Sequence, residues 1–140
     1  MFYVDTSIIV SAVTIEPANE AAADWLAAQP IASLWTSEWV ETEVASALAL
    51  KVRQRVLSAQ ERQFSWQQWL KLRTRTLTTA AIEARHFRMA SDLLNSAAVP
   101  LRAGDALHLA IAMDHRLGIA TRDREFATAG EMADVIVVRL

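Results

Sequence analysis

The chain has 140 residues, 53% of them hydrophobic, a length and composition that suit one domain spanning 1–140 with one sizeable core. It contains no cysteine, which excludes disulfides, thiolate catalysis and sulfur-based zinc sites and fits a reducing compartment. The net charge of −2 does not mark a general nucleic-acid binder, no apolar run approaches the roughly 20 residues of a membrane span, and no basic leader precedes the first apolar run. A soluble cytoplasmic protein is expected.

In chain order, residues 2–5 read as a short buried strand. Thr6 and Ser7 are N-cap candidates for a helix through about Val13, and Glu16-Pro17 breaks it. Residues 18–28 form a short amphipathic helix ending before Pro30. "ASLWTS" at 32–37 reads as a second strand, followed by a helix from about Glu38 to Arg55. Ser58 and Glu61 make the S-x-x-E capping box of a helix to about Arg73, whose Phe64, Trp66 and Trp69 are expected to pack. "TLTT" at 76–79 is a strand or a helix entrance; a helix then covers about 80–97, with Pro100 ending the segment. Residues 103–118 are apolar on nearly every side and predict a buried central helix. "GIAT" at 118–121 and "DVIVV" at 134–138 read as strands. Strands alternating with helices predict an α/β fold with a mostly parallel sheet, whose sites lie at the carboxyl ends of the strands.

Four acids stand in apolar or buried settings near those ends. Asp5 closes the first strand, Asp105 opens the most apolar helix, and Asp123 follows "GIATR". Each also suits a helix cap or the helix dipole. Glu43 lies in "EWVETEVASALAL" with Trp39, Val40, Ser46 and Ala47 a turn away, while Glu41 competes with it. Like charges gathered at one sheet edge repel strongly unless a cation joins them, and oxygen ligands of this type suit Mg²⁺ or Mn²⁺. Such ions serve phosphodiester hydrolysis by activating water and neutralising the leaving oxygen.

"FYVDTS", "TEVASAL", "RAGDALHLA" and "TRDREF" stand in order along nearly the whole chain. Together they resemble the PIN-domain family, and within it the VapC-type ribonuclease toxins of toxin–antitoxin modules. The resemblance implies a three-layer α/β/α fold with magnesium-dependent RNA cleavage at Asp5, Glu43, Asp105 and Asp123. It selects Glu43 over Glu41. It also implies supporting roles for Ser7 and Thr121, and for Glu125, which stands where the family more often has Asp. A homodimer and a small cognate antitoxin follow from the same resemblance.

Two other readings compete. An aspartyl-nucleophile phosphatase or phosphotransferase would use Asp5, but usually carries a second acid two residues on, where this chain has Ser7. A non-catalytic metal- or partner-binding subunit would keep the acids for binding alone. His108, one turn after Asp105, is expected to pack rather than to join the site. Arg102 can meet a phosphate or a carboxylate. The basic residues Lys51 to Arg75 read as a solvated helix face.

Overall fold

The computed structural model describes residues 1–14, 20–96 and 101–140. The Glu16-Pro17 break, the first residues of the 18–28 helix and the Pro100 stop lie outside them. Its elements are β1 (Phe2–Val4), α1 (Thr6–Val13), α2 (Glu20–Ala27), β2 (Leu34–Ser37), α3 (Glu38–Arg53), α4 (Ala59–Thr76), β3 (Leu77–Ala80), α5 (Ala84–Ser96), α6 (Ala103–Asp114), β4 (Gly118–Thr121), α7 (Arg124–Met132) and β5 (Val137–Arg139).

The five strands form one sheet in the order β3-β2-β1-β4-β5, with every pairing parallel. The chain travels outward from β1 through β2 to β3, then returns past both to β4 and β5. Right-handed crossovers in opposite directions put the connecting helices on opposite faces. Accordingly α1 packs on α2, α3 and α4, and α5 packs on α6. The reversal falls between β1 and β4, and the carboxyl ends of those two strands carry Asp5 and Thr121. In an open parallel sheet this is where a crevice forms.

All four residues of β4 and the run Ala106–Ala112 of α6 are buried, as a strand and a helix covered on all sides must be. Tyr3, Val4, Ile8, Val40, Val44, Leu48, Trp69, Ile111 and Phe126 join them in one core. Ser58 and Glu61 complete their capping box. Residues 77–80 take the strand option because Leu77 through Ala80 run in register with Leu34 through Ser37. The last strand starts later than its β-branched run, since the amides of Asp134 and Val135 bond back to the carbonyls of Glu131 and Gly130 at the end of α7. Trp69 is fully buried and Trp66 packs against the core, but Phe64 is 49% exposed, contrary to its expected packing.

Candidate active site

Asp5 leaves β1 with extended backbone (φ −69°, ψ 153°), and its carboxylate accepts the Ser7 N–H, making it the N-cap of α1. Of the cap candidates, Asp5 is therefore the one used, and Thr6 and Ser7 fall inside α1, because the strand's extended geometry ends at Asp5 and the helix begins at once. Ser7 turns its hydroxyl back onto Asp5 Oδ2 at 2.5 Å, and Thr121 Oγ1 donates to the same oxygen at 2.7 Å from the end of β4. Three donors thus hold Oδ2. No described residue donates to Oδ1 within hydrogen-bond reach; His108 Nε2 stands 4.0 Å away.

Asp123 repeats the pattern at α7. Its Oδ1 accepts the amides of Glu125 (2.8 Å) and Phe126 (3.0 Å), while its own N–H donates to Thr121 Oγ1 at 2.9 Å. A single buried hydroxyl, Thr121, therefore ties together the acids that follow β1 and β4. Asp105, in the first turn of α6, accepts the Arg102 N–H on Oδ2 at 3.2 Å. Among the described residues, Asp123 Oδ2 and Asp105 Oδ1 accept no hydrogen bond.

Glu43 is held differently. Its Oε2 accepts from Thr6 Oγ1 (2.5 Å) and faces His108 Nε2 (2.7 Å), and its Oε1 accepts from Trp39 Nε1 (2.9 Å). The start of α6 presses against this carboxylate: a Cβ added at Gly104 would stand 2.7 Å from Glu43 Oε1. Glu41 points elsewhere and pairs with Arg73, which also binds Glu38. Behind the site, Tyr3 OH is 2.8 Å from His108 Nδ1 and 2.6 Å from Ser37 Oγ, all three residues being buried.

Burial is the main cause that pushes the Asp105 carboxyl above its ordinary range, and the charges of Asp123 and Asp5 add to it against the Arg102 amide and His108. Burial would raise Glu43 too, but the hydrogen bonds from His108 first and then from Thr6 and Trp39 outweigh it and hold Glu43 below its ordinary range. An acid raised by burial and by two neighbouring acids at a sheet edge, with open hard-oxygen ligands beside it, fits a divalent cation such as Mg²⁺ or Mn²⁺. They share the edge without forming a closed cage. The one described group of three ligands whose atoms all lie within 4.8 Å of one another is His86, Asp114 and His115. Looser spacing suits an ion that keeps part of its water shell.

The His86 group fits a metal poorly. His86 Nδ1 accepts the Glu83 N–H at 3.0 Å, so its proton sits on Nε2 and donates to Asp114 Oδ2, which Arg85 also covers. His86 and then Arg85 hold the Asp114 carboxyl below its ordinary range. The cluster pins α5 to α6.

Ser7 and Thr121 each donate to Asp5, whereas the Glu125 side chain is exposed and only its amide serves, on Asp123. Arg102 likewise contributes its amide and leaves its side chain in solvent. Sequence reasoning missed Tyr3, Ser37 and the hydrogen-bonding parts of Thr6 and Trp39, and it expected His108 to pack. The available signals were spacings: Trp39 lies four residues before Glu43, and His108 three after Asp105, so each shares a helix face with an acid.

Several solved structures share this architecture. VapC20 of Mycobacterium tuberculosis, described as a Sarcin-Ricin loop cleaving toxin, is 18% identical over 100% of both chains, with a TM-score of 0.75. FitAcB from Neisseria gonorrhoeae is 22% identical over 99% of this chain and 97% of that one, at 0.68. VapBC2 from Rickettsia felis, bound to a DNA fragment from its promoter, is 18% identical over 99% and 98%, at 0.67. No curated protein matches. These likenesses are to the fold; the sequence itself matches the PIN domain over residues 2–132, nearly end to end, and the chain belongs to the PIN-domain family.

Proposed function

We propose that this chain is a single-domain, divalent-metal-dependent endoribonuclease, the toxin of a toxin–antitoxin pair. One observation carries the reading. In a PIN-domain chain, Asp5, Asp105 and Asp123 each accept hydrogen bonds on one carboxylate oxygen and leave the other without a donor among the described residues, Asp105 feels the charges of the other two, and His108 stands between Asp5 and Glu43.

These four acids would hold the ion, which when bound lowers the pKa of water and neutralises charge on the phosphodiester. The chain's residues do the positioning. Ser7 and Thr121 fix Asp5, Thr121 also fixes the backbone of Asp123, and the amides of Glu125 and Phe126 fix its carboxylate. Glu43, kept ionised, orients the attacking water and takes its proton. Attack on phosphorus breaks the bond to the 3′-oxygen, giving a 5′-phosphate and a 3′-hydroxyl. A hydroxyl at Ser7 spent on Asp5 supports the aspartyl-nucleophile alternative poorly, since that chemistry wants a second acid there.

Similarity to FitAcB, to VapBC2 and to a toxin–antitoxin complex from Klebsiella pneumoniae supports a cognate antitoxin as partner, and the family supports a homodimer. Among the described residues, no helix is long and apolar enough to cross a membrane. RNA in the cytoplasm is the proposed substrate. The test is induced expression followed by sequencing of RNA 5′ ends, beside an Asp5→Asn control. New 5′-phosphate ends at a restricted set of sites are expected for the wild type only; identical end maps for both chains would refute the reading.

A further inference from the structure

We infer that His108 is a positioning residue that holds the Glu43 carboxylate at the end of a directed hydrogen-bond chain running Ser37 → Tyr3 → His108 → Glu43. The inference deepens the nuclease reading and rests on it for its activity arm alone.

The direction follows from the donors available. Glu43 Oε2 is a carboxylate oxygen and only accepts, so His108 Nε2, 2.7 Å away, must donate to it. In the neutral ring, Nδ1 is then an acceptor, and the group facing it at 2.8 Å is Tyr3 OH. A tyrosine phenol carries its proton at neutral pH, so the one proton of the buried Tyr3 hydroxyl is available for Nδ1. The remaining contact of the phenol oxygen, Ser37 Oγ at 2.6 Å, must then be a bond donated by Ser37. All four groups are matched donor to acceptor without a spare proton.

The network is sealed from solvent. Tyr3 and Ser37 are 0% and 2% exposed, and His108 is 1% exposed. Both ring nitrogens of His108 are engaged, one by β1 and the other by α3. Thr6 secures the same Oε2, and Trp39 secures Oε1 from the solvent side. Glu43 sits on a long flexible side chain, so its carboxylate lacks the backbone amides that fix Asp5 and Asp123. His108 supplies what an N-cap supplies to the other acids, and its Nε2 also stands 4.0 Å from the open oxygen of Asp5.

The experiment has three arms. Imidazole ¹⁵N spectra of the metal-free protein should show His108 as the Nε2–H tautomer with a bonded Nδ1, and Tyr3→Phe, which removes one hydroxyl, should shift that signal. Mn²⁺ titration by calorimetry should find weaker binding in His108→Leu and near-wild-type binding in His108→Gln, whose amide presents an N–H in the place of Nε2. With Mn²⁺ saturating, RNA cleavage by His108→Leu should lose about 10–100-fold in kcat, the usual effect of removing a group that orients a metal ligand, with KM little changed and with recovery in His108→Gln. Wild-type kcat in a folded His108→Leu, or a His108→Gln as impaired as His108→Leu, would overturn the proposal. An Nδ1–H tautomer would overturn it even if the Leu variant fails to fold. A wild type that binds Mn²⁺ and shows the tautomer but cleaves no RNA would refute the nuclease reading and leave the positioning role standing.

Discussion

Replacing Thr121 by Val keeps the shape and the β-branch but removes the one hydroxyl that ties two acids together. Thr121 is fully buried at the end of β4, donates to Asp5 Oδ2 at 2.7 Å and accepts the Asp123 N–H at 2.9 Å. A hydrogen bond to a charged group contributes about 1.5–3 kcal/mol, and a buried amide left without a partner costs about 1–3 kcal/mol. Asp5 Oδ2 keeps its two bonds from Ser7, so the first loss lies at the low end. The net cost is about 2–4 kcal/mol, a large part of the roughly 5–15 kcal/mol that holds a domain folded. At roughly 3–4 °C per kcal/mol for a chain of this size, Thr121→Val should melt roughly 6–16 °C lower. Thr121→Ser keeps the hydroxyl and should recover most of that loss. Differential scanning calorimetry of the metal-free proteins provides the comparison. A Val variant melting within about 1 °C of wild type, or a Ser variant as unstable as the Val variant, would refute the claim that this hydroxyl couples the two acids.

Gly104→Ala gains about 1 kcal/mol of helix propensity, but its Cβ would displace a Glu43 carboxylate held by three bonds, each to a charged group worth about 1.5–3 kcal/mol, so the melting temperature should fall; cleavage should fall at least about 10-fold by the same logic of displaced ligands, and a stable, fully active variant would count against the site. Asp105→Asn should raise the metal-free melting temperature near neutral pH and reduce stabilisation by Mn²⁺, both read from melts with and without the ion. The sign follows from the raised carboxyl: the wild-type group favours the fold when protonated, below its ordinary 3.8, and that contribution is lost as pH rises through the folded value, so the advantage of Asn should grow with rising pH and vanish below about 3.8. Asp123→Ala should destabilise by about 0.5–2 kcal/mol through loss of the α7 cap, and Asp123→Asn should not, while both abolish cleavage; denaturant titrations beside one RNA assay separate the cap from the ligand.

The parts of the site that were legible in the sequence are those fixed locally. Asp5, Asp105 and Asp123 stand at strand-to-helix or loop-to-helix junctions, where a short stretch of chain determines both the turn and the acid's place in it. Glu43 and Glu41 were inseparable by spacing because both lie beside apolar residues on one helix. What distinguishes them is Arg73, on another helix, which claims Glu41. His108 looked like packing because its sequence neighbours are apolar. Its partners, Tyr3 and Glu43, are 105 and 65 residues away, and no local pattern reports them. The parallel pairing of the strands was implicit in the alternation of elements, but their order was not, nor the late start of β5, which depends on how the last turn of α7 closes.

Capping and metal binding, which compete as explanations of an acid at a helix start when only the sequence is known, are compatible in three dimensions. A carboxylate has two oxygens, and a cap uses one. At Asp5, Asp105 and Asp123 the capping bonds fall on a single oxygen and restrict the side chain's torsions, while the other oxygen has no donor among the described residues. The local fold thus supplies orientation that a flexible acid would otherwise have to purchase with side-chain entropy. Glu43, lying within a helix, has no such anchor and is restrained instead by Thr6, Trp39 and His108 from three different elements. This division accounts for the unequal electrostatics. Asp105, raised first by burial and then by two nearby acids against a single amide bond, contrasts with Glu43, which hydrogen bonds from three donors lower despite its burial.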